Sequence, residues 1–561
     1  MRPITSGDGK SGVRLALFEE GDAANPTIVL VHGYPDTHAV WDEVAALLRD
    51  RFHVVRYDVR GAGASTAPRD RRAYGFDELT ADLAAVLDAV GKPEVHLVGH
   101  DWGAIQCWEA LARPGLRERI ATFTTLGVPG YRQIARFMSD GKRRHVLGQR
   151  ARSWYIGLFR LPVLPELGWR VLAERLRTGR SELGPGVPPR LGHPAETLAR
   201  DARNGLQLYR VNDAGQWRDA EARVDVPVQL IEGTRDPYVS PHLLASLGRW
   251  VPELAHRKIV AGHWMQRTHP GQVARMIAEF AGRDRPTREL RRAADRRPFR
   301  HTLVVVTGAG SGIGRATARA FAAHGAEVIC ADLDLKAAEE TAGSFGGVPY
   351  EVDVADAGQM AAFAEWVADQ HGVPDVVVNN AGVAVSGPFL EHSLGDWQRV
   401  LDVNLWGVIH GCRLFARQMV ERGEGGHIVN VASVAAFLPS RSLPAYSVSK
   451  AAVKSLSDCL RAELAGHGIG VSTICPGFVS TAIARNATFV GPDVREAAIT
   501  ALERRAYPPE RVAAHILRAV HRNQALVPVN AEGRLGYVLS RLSPAATRAV
   551  ARVLRNPAID G

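Results

Sequence analysis

An arginine-rich segment divides this chain into two parts that carry unrelated sequence patterns. Residues 283–300 hold eight Arg against three acidic residues, with Pro286 and Pro298 near the two ends. Dense arginine can indicate nucleic-acid binding, but a charged run usually faces water. We therefore interpret 283–300 as a linker and expect no nucleic-acid partner. Residues 287–297 favour a helix, so the linker is expected to be semi-rigid.

The length of 561 residues is too great for one ordinary core, and it predicts two to four domains. The content of 46% hydrophobic and 23% charged residues is typical of a globular protein, and the net charge of +10 favours solubility. The five cysteines show no metal-like spacing, so we expect buried thiols in a reducing compartment. The first 20 residues lack a secretory apolar core, and no apolar run is long enough to span a membrane. The expected localisation is cytoplasmic.

Short apolar runs alternate with helical patterns in the first part. Residues 27–32, 54–58 and 95–98 form three such runs, and residues 77–90 show helical spacing of apolar side chains. This alternation predicts an α/β domain with a parallel sheet between helices.

The sequence Gly-His-Asp-Trp-Gly stands where the third run ends, with Asp101 at its centre. A nucleophile flanked by small residues, between a strand and a helix, is typical of the sharp elbow of α/β-hydrolases. A carboxylate there suits attack on a saturated electrophilic carbon, giving an alkyl-enzyme ester that water hydrolyses. The alternative is that Asp101 only caps a helix.

Two further residues complete a candidate triad. Asp236 follows the apolar run 228–231, and His263 follows 258–260, in the order nucleophile, acid, base. His263 would take a proton from water while Asp236 fixes its tautomer. The backbone N–H groups of Tyr34 and Trp102 would form an oxyanion hole.

These motifs, with HGYP, DVRGAGAS and GTRDPYV, resemble the epoxide hydrolases of the α/β-hydrolase fold over residues 1–282. The resemblance implies a helical cap at about 130–223. It also implies that Tyr155 and Tyr209 protonate the epoxide oxygen, although either tyrosine could serve packing alone. A haloalkane dehalogenase shares the Asp nucleophile and is the alternative. Dehalogenases commonly have Asn at the position of Tyr34, so an epoxide substrate is favoured.

A glycine-rich turn opens the second part directly after the apolar run 301–307. Such a turn places a pyrophosphate on the free N–H groups of a helix start. Its candidate cofactor residues are Gly308, Ser311, Gly312, Ile313 and Gly314. Asp332 ends the next apolar run, where a carboxylate accepts the ribose hydroxyls and repels a 2′-phosphate. We therefore expect NAD rather than NADP, with Arg315 as a counter-indication.

A candidate catalytic set follows the fifth apolar run of this part. Tyr446 and Lys450 share one helix face, so Lys450 would lower the phenol pKa and Tyr446 would act as general acid/base. Ser433 would position the substrate oxygen, and Asn404 would hold a water that links Lys450 to solvent. Further expected cofactor contacts are Asp353 and Val354 at the adenine, then Asn380, Ala381 and Gly382.

This pattern resembles the short-chain dehydrogenase/reductases, which implies a Rossmann fold for the domain at 301–561. The resemblance places four more cofactor contacts in a late segment, at Pro476, Gly477, Val479 and Thr481. It also implies alcohol or ketone substrates and homo-oligomers formed through this domain. The whole architecture resembles the EphD-type fusion proteins of mycobacteria, for which long-chain substrates are expected. The basic tail 535–555 could be an oligomer contact, a lid on the second site or a peripheral membrane anchor, and packing against its own domain is the default expectation. The alternative is that one domain is inactive and serves as a scaffold or lipid-binding module.

Overall fold

The computed structural model describes most of the chain as two compact units, Met1–Asp295 and Arg296–Gly561. The residues described are 1–6, 12–177, 196–217, 220–282, 299–300, 302–438, 440–477, 479, 487–490, 507–543 and 545. The predicted linker therefore lies almost entirely outside the described residues, as does the predicted contact Thr481.

The first unit contains an eight-stranded sheet in the order β1-β2-β4-β3-β5-β6-β7-β8. The six strands from β4 to β8 in that order run parallel, which confirms the predicted sheet, while β1 and β2 add an antiparallel edge. The strands are β1 Arg2–Thr5, β2 Arg14–Glu20, β3 Thr27–Val31, β4 His53–Tyr57, β5 Val95–His100, β6 Ile120–Leu126, β7 Val228–Gly233 and β8 Leu254–Ile259. Strands β3 and β4 are buried along their whole length, because helices cover both faces of a parallel sheet.

Helices cover this sheet and also form the predicted cap between β6 and β7. The helices outside the cap are Asp42–Leu48, Phe76–Val90, Trp102–Leu111, Pro114–Arg117, Pro241–Ala245, Met265–Thr268 and Pro270–Gly282. The cap helices are Tyr131–Asp140, Arg143–Arg152, Trp154–Arg160, Leu164–Arg177 and Leu198–Val211. Short 3-10 helices span His38–Trp41, Arg71–Tyr74, Ala214–Trp217 and Ser246–Arg249.

The last cap helix is attached to the loop after β4. Asp201 accepts a hydrogen bond from the backbone N–H of Gly63 at 2.9 Å, and Asn204 donates to the carbonyl of Gly61 at 2.9 Å. Arg60 fixes this loop to the helix Phe76–Val90, because its buried guanidinium lies 2.6 Å from the buried carboxylate of Asp82. The cap is thereby held over the carboxyl ends of the parallel strands, where α/β enzymes place their sites.

The second unit is a seven-stranded parallel sheet in the order β11-β10-β9-β12-β14-β15-β17, the arrangement of a Rossmann fold. Its strands are β9 Leu303–Thr307, β10 Glu327–Asp332, β11 Val348–Glu351, β12 Val376–Asn379, β14 Gly426–Val431, β15 Ile469–Cys475 and β17 Leu526–Pro528. A separate parallel pair is formed by β13 Val385–Ser386 and β16 Thr488–Phe489.

Helices pack on both faces of the second sheet. They are Gly312–Ala323, Leu335–Gly343, Ala357–Gln370, Leu394–Leu401, Gly407–Arg422, Pro444–Leu464, Pro509–Arg522 and Ala531–Leu542. A π-helical turn, Asp402–Trp406, joins two of them, and 3-10 turns span Phe389–Glu391, Val434–Ala436 and Ala465–His467.

The structure bears on two further expectations, which concern membrane-spanning helices and the burial of the cysteines. No helix among the described residues is long and apolar enough to cross a bilayer. Four of the five cysteines are buried as expected, but Cys459 is exposed. The helix Pro444–Leu464 buries Val453 and Ser457 on one face, and Cys459 lies away from that face.

Candidate active sites

The nucleophile elbow of the first unit is a sharp turn between β5 and the helix Trp102–Leu111. Asp101 adopts φ 50° and ψ −125°, a strained conformation for a residue with a side chain. A Cβ on Gly99 would lie 2.6 Å from Cα of Ala104, and one on Gly103 would lie 2.3 Å from the carbonyl oxygen of Val31. Only glycine fits at these two positions, which explains the spacing of the motif.

The elbow, the loop after β7 and the loop after β8 bring the three triad residues together. Nδ1 of His263 lies 2.7 Å from Oδ2 of Asp236, and Nε2 lies 3.5 Å from Oδ2 of Asp101. Oδ1 of Asp236 accepts hydrogen bonds from the backbone N–H groups of Tyr238 and Val239, at 2.7 and 3.2 Å. The acid is thus fixed on its far side while it orients the imidazole.

The two oxygens of Asp101 have different surroundings. Oδ1 accepts a hydrogen bond from the backbone N–H of Tyr34 at 2.8 Å, whereas Oδ2 faces His263. The sequence predicts the backbone N–H of Tyr34 as one of the two donors of an oxyanion hole, and this N–H does contact Asp101. Trp102 begins the helix after the elbow, and the role of its N–H stays a prediction.

The charges of the triad shift its pKa values. Burial opposes a charge on His263, but the carboxylates of Asp236 and Asp101 outweigh it and raise the pKa of the imidazole to about 10. Burial likewise opposes charge on both carboxylates, yet hydrogen bonding and attraction to His263 hold the pKa values of Asp101 and Asp236 below their ordinary value. In the resting site His263 is therefore protonated between two carboxylates.

The pKa of His263 predicts a pH dependence of stability. Because its folded pKa exceeds its unfolded value, its stabilising contribution is complete below the ordinary value of 6.5 and is lost as the pH rises through about 10. We expect His263→Gln to lower the melting temperature of the hydrolase unit at pH values below 6.5. The difference between variant and wild type should shrink on raising the pH above 10, as measured by circular dichroism melts. A difference that does not change with pH would contradict the assigned charge.

Both predicted cap tyrosines lie close enough to Asp101 for its charge to act on their hydroxyls. The rings of Tyr155 and Tyr209 are 6.3 Å apart at 81°, and Tyr209 also packs edge-on against Trp102 with centroids 5.0 Å apart. Burial, with repulsion from Asp101, raises the pKa of each hydroxyl well above its usual range. The two hydroxyls therefore remain protonated at neutral pH and can serve as donors.

A second polar cluster lies behind the triad and was not predicted. The buried carboxylate of Asp36 accepts a hydrogen bond from Nε1 of Trp264 at 3.0 Å, and Nε2 of His100 lies 3.1 Å from the carbonyl oxygen of His263. Burial raises the pKa of Asp36 to about 7 and lowers that of His100 to about 3. These residues adjoin motif residues in the sequence, but their burial and pairing come only from the fold.

The glycine-rich turn of the second unit forms a narrow cradle after β9. Gly308 has φ +64°, and a Cβ there would lie 2.8 Å from Cα of Ala381. A Cβ on Gly314 would lie 2.0 Å from the carbonyl oxygen of Gly308. No side chain caps the helix that begins at Gly312, with Ser311 as its N-cap, so its first N–H groups are available. This geometry fits the pyrophosphate of a dinucleotide.

Asp332 lies at the end of β10 beside the cradle. Its Oδ2 accepts a hydrogen bond from the backbone N–H of Gly310 at 2.7 Å. Arg315, the counter-indication to NAD, is occupied: it donates to Oγ1 of Thr341 at 3.0 Å and lies 3.7 Å from the carboxylate of Glu340. The carboxylate therefore faces the cofactor side, while the nearby guanidinium is held by the next helix, Leu335–Gly343.

The predicted catalytic residues of the second unit converge on one site. Burial raises the pKa of Tyr446, although hydrogen bonding with Ser433 opposes this. Burial lowers the pKa of Lys450 to about 8, and its Nζ donates to the carbonyl of Val431 at 2.9 Å. That Nζ lies 5.6 Å from the ring centroid of Tyr446. The expected lowering of the phenol pKa by Lys450 is thus outweighed by burial.

Asn404 lies in the π-helical turn and is completely buried. Its Oδ1 accepts from the N–H of Val383 at 2.8 Å, and its Nδ2 donates to the carbonyl of Val383 at 2.9 Å. A Cβ on Gly382 would lie 3.1 Å from Oδ1 of Asn404 and 3.5 Å from Nζ of Lys450. The side chain of Asn404 therefore holds the segment after β12 beside Lys450. The expected contact of Asn404 with a water stays a prediction.

The other expected cofactor residues also border the carboxyl edge of this sheet. Asn380 donates from Nδ2 to the carbonyls of Thr307 and Gly308, at 3.0 and 3.1 Å, which ties β12 to the cradle. Asp353 accepts from the N–H of Ala355 at 2.9 Å, and Val354 is buried. The late segment follows β15, where Pro476 accepts from Ser433, Gly477 donates to Asn530 and Val479 is buried. The role of Ile313, in the first helical turn, also stays a prediction.

Comparisons with known proteins agree with both halves of the fold. The model described as alpha/beta hydrolase fold matches residues 26–270, and the model described as short chain dehydrogenase matches residues 302–489. A short-chain dehydrogenase domain implies a nicotinamide cofactor, which the cradle fits. A crystal structure of a short-chain dehydrogenase/reductase from Burkholderia phymatum in complex with NAD is 32% identical, covering 46% of this chain and 97% of that chain, with a TM-score of 0.41.

One relative matches nearly the whole chain, and another matches a part of it. The probable oxidoreductase EphD of Mycobacterium tuberculosis is 42% identical, and the alignment covers 97% of this chain and 98% of EphD. The D-threitol dehydrogenase of Mycolicibacterium smegmatis is 41% identical and covers 39% of this chain and 85% of that protein. Since the similarity to EphD extends over nearly the whole of both proteins, this chain belongs to the EphD-type family, an α/β-hydrolase domain followed by a short-chain dehydrogenase domain.

Proposed function

We propose that the first unit hydrolyses an epoxide to a vicinal diol. The observation that carries this proposal is the pair of protonated tyrosine hydroxyls, Tyr155 and Tyr209, near the carboxylate of Asp101. Attack by Asp101 on a saturated carbon needs no proton. Opening an epoxide does, because the leaving oxygen stays in the product as an alkoxide. Two neutral donors opposite a nucleophilic carboxylate are the arrangement that this reaction needs.

The proposed reaction has two steps. An oxygen of Asp101 forms an ester with the epoxide carbon as the carbon–oxygen bond breaks, and a tyrosine protonates the leaving oxygen. The ester is neutral, so His263 loses one of the charges that raise its pKa and gives up its resting proton, which restores the tyrosine hydroxyl. His263 then takes a proton from water, which hydrolyses the ester, and the N–H of Tyr34 stabilises the oxyanion. The diol then leaves, with Asp101 ionised and His263 protonated as at the start.

The rival activity, dehalogenation, differs in its need for a proton, which gives a direct test. A halide leaves as an anion, whereas the epoxide oxygen must be protonated. We expect the double variant Tyr155→Phe, Tyr209→Phe to lower epoxide turnover by about 10³-fold. Release of bromide from a bromoalkane, measured with the same preparations, is the control.

If the enzyme were a dehalogenase, wild type would release bromide rapidly and the double variant would lose no more than a small part of that rate. Epoxide turnover that survives in the double variant would also contradict the proposal. Tyr131→Phe is a matched control, because Tyr131 is a third buried tyrosine that packs against Trp102.

We propose that the second unit oxidises an alcohol or reduces a ketone with NAD. The bound nicotinamide would accept or deliver the hydride. Tyr446 would transfer the proton at the substrate oxygen, and Ser433 would hold that oxygen. Lys450, whose Nζ donates to Val431 at the end of β14, would hold the nicotinamide ribose. Homo-oligomer formation through this unit remains an expectation.

The preference for NAD rests on Asp332. A 2′-phosphate at this position would meet a carboxylate, and Arg315 is held by Glu340 and Thr341 rather than offered to the phosphate. We expect Asp332→Ser to reduce the ratio of kcat/KM for NAD to that for NADP by about 10²-fold. Initial rates with both cofactors measure it. A ratio unchanged by the substitution, or wild type that prefers NADP, would contradict the assignment.

A further inference from the structure

The outer side of the cap carries a concentration of exposed apolar side chains. Among the described residues, eight of the twenty exposed large apolar side chains lie between residues 147 and 172. We define the outer cap face as Leu147, Trp154, Leu161, Val163, Leu164, Leu167, Val171 and Leu172. Exposed apolar residues are ordinarily scattered singly, so a cluster of this size indicates a binding surface.

The helix Leu164–Arg177 is apolar on two opposite sides. Its inner side buries Trp169 and Ala173, which are 6% and 3% exposed. Its outer side presents Leu164, Leu167 and Val171, which are 57%, 51% and 59% exposed. A spacing of three and four residues places these three side chains on one face. The core covers the inner face, whereas the outer face stays exposed in the part of the chain that the structure describes.

The charge around this face is strongly positive. Residues 142–175 contain eight Lys and Arg and two Glu, which gives a net charge of +6. All eight basic side chains are exposed. One of the two acids, Glu166, lies 2.7 Å from Arg210 of the last cap helix, so its charge is neutralised there. Exposed apolar residues that include a tryptophan and stand among many basic residues are typical of helices that lie on anionic lipid surfaces.

The same helices line the candidate active site on their inner side. Trp154 is 69% exposed, while its neighbour Tyr155 points inward to within 5.3 Å of the ring of Tyr238. Phe159 and Trp169 pack against Tyr34, with ring centroids 5.7 and 5.8 Å away. The same cap helices therefore carry the outer cap face on one side and aromatic side chains of the candidate site on the other.

We propose that the outer cap face docks on an anionic lipid surface, with Trp154 and the exposed leucines and valines in the interface and the arginines against lipid headgroups. The hydrolase site would then face the lipid, and a water-insoluble substrate would reach it through the cap. The docking stands independently of the proposed epoxide chemistry, because lipid binding can be measured without turnover.

The test is cosedimentation of the full chain with vesicles of phosphatidylglycerol and, separately, of phosphatidylcholine. We expect binding to phosphatidylglycerol that weakens with salt, and little binding to phosphatidylcholine. The variant Leu164→Ser, Leu167→Ser, Val171→Ser should bind phosphatidylglycerol at least about tenfold more weakly. The matched control is Leu390→Ser, Leu394→Ser, which changes two side chains that are 89% and 88% exposed in the second unit.

Three outcomes would overturn the proposal. Wild type that does not bind phosphatidylglycerol at low salt excludes the surface. A cap variant that binds as tightly as wild type, while Leu535→Ser, Val538→Ser in the helix Ala531–Leu542 loses binding, moves the membrane contact to the C-terminal helix. A wild-type dimer that the cap variant converts to a monomer, seen by light scattering without vesicles, assigns the face to a second copy of the chain.

Discussion

Replacing Asp101 by alanine is expected to lower epoxide hydrolysis by at least about 10³-fold and to leave alcohol oxidation unchanged. The carboxylate is the only group at the elbow that can form the ester, with one oxygen on the N–H of Tyr34 and the other facing His263. The second unit has its own sheet, cradle and catalytic residues, so it does not depend on this side chain. Diol formation and NADH production are measured on the same preparation.

The control for Asp101→Ala is the alcohol oxidation activity itself, because a misfolded preparation would lose both reactions. Hydrolysis that persists within about tenfold of wild type would show that water attacks the epoxide directly, and it would contradict a covalent mechanism. Loss of both activities with an unchanged melting temperature would contradict the independence of the two sites.

The reciprocal prediction is that Tyr446→Phe lowers alcohol oxidation by about 10³-fold while epoxide hydrolysis is unchanged. The substitution removes one hydroxyl and keeps the ring that packs near Lys450. Because burial raises the pKa of Tyr446 above its ordinary value of 10, the wild-type rate of oxidation should increase as the pH rises towards that pKa and the phenolate forms. Initial rates against pH for wild type and variant measure both effects.

NAD binding separates the role of Tyr446 from a change of structure. We expect Tyr446→Phe to bind NAD with nearly the wild-type dissociation constant, because the cradle is formed by Gly308 and Gly314 after a different strand. Lys450→Ala is a second variant for comparison and should weaken both binding and turnover. A Tyr446→Phe enzyme that oxidises alcohols normally would contradict the assigned acid/base.

The site residues that could be predicted from sequence are those that follow directly after a parallel strand. Asp101, Asp236 and His263 each follow an apolar run, and parallel strands bring their carboxyl ends to one sheet edge. The glycines of both motifs could also be predicted from sequence, because a position where a Cβ would clash with nearby backbone holds only glycine.

The parts not predicted depend on burial and on contacts between distant segments. Asp36 and His100 stand beside motif residues, but only the fold shows that one pairs with Trp264 and the other lies under His263. The sequence predicted a lowered pKa for the phenol of Tyr446, because it shows the positive charge of Lys450 but not the burial of the phenol. In the structure, burial raises this pKa. The outer cap face was also missed, because the helix Leu164–Arg177 has apolar residues on two sides and the pattern does not tell which side is covered.

The most direct test of the account is a single turnover of the epoxide in isotopically heavy (¹⁸O) water, with the enzyme in excess over substrate. If Asp101 attacks the epoxide carbon, the oxygen added in the first turnover comes from its carboxylate. The account predicts an unlabelled diol and ¹⁸O in the peptide that contains Asp101, as measured by mass spectrometry. A labelled diol with no label in that peptide would contradict it.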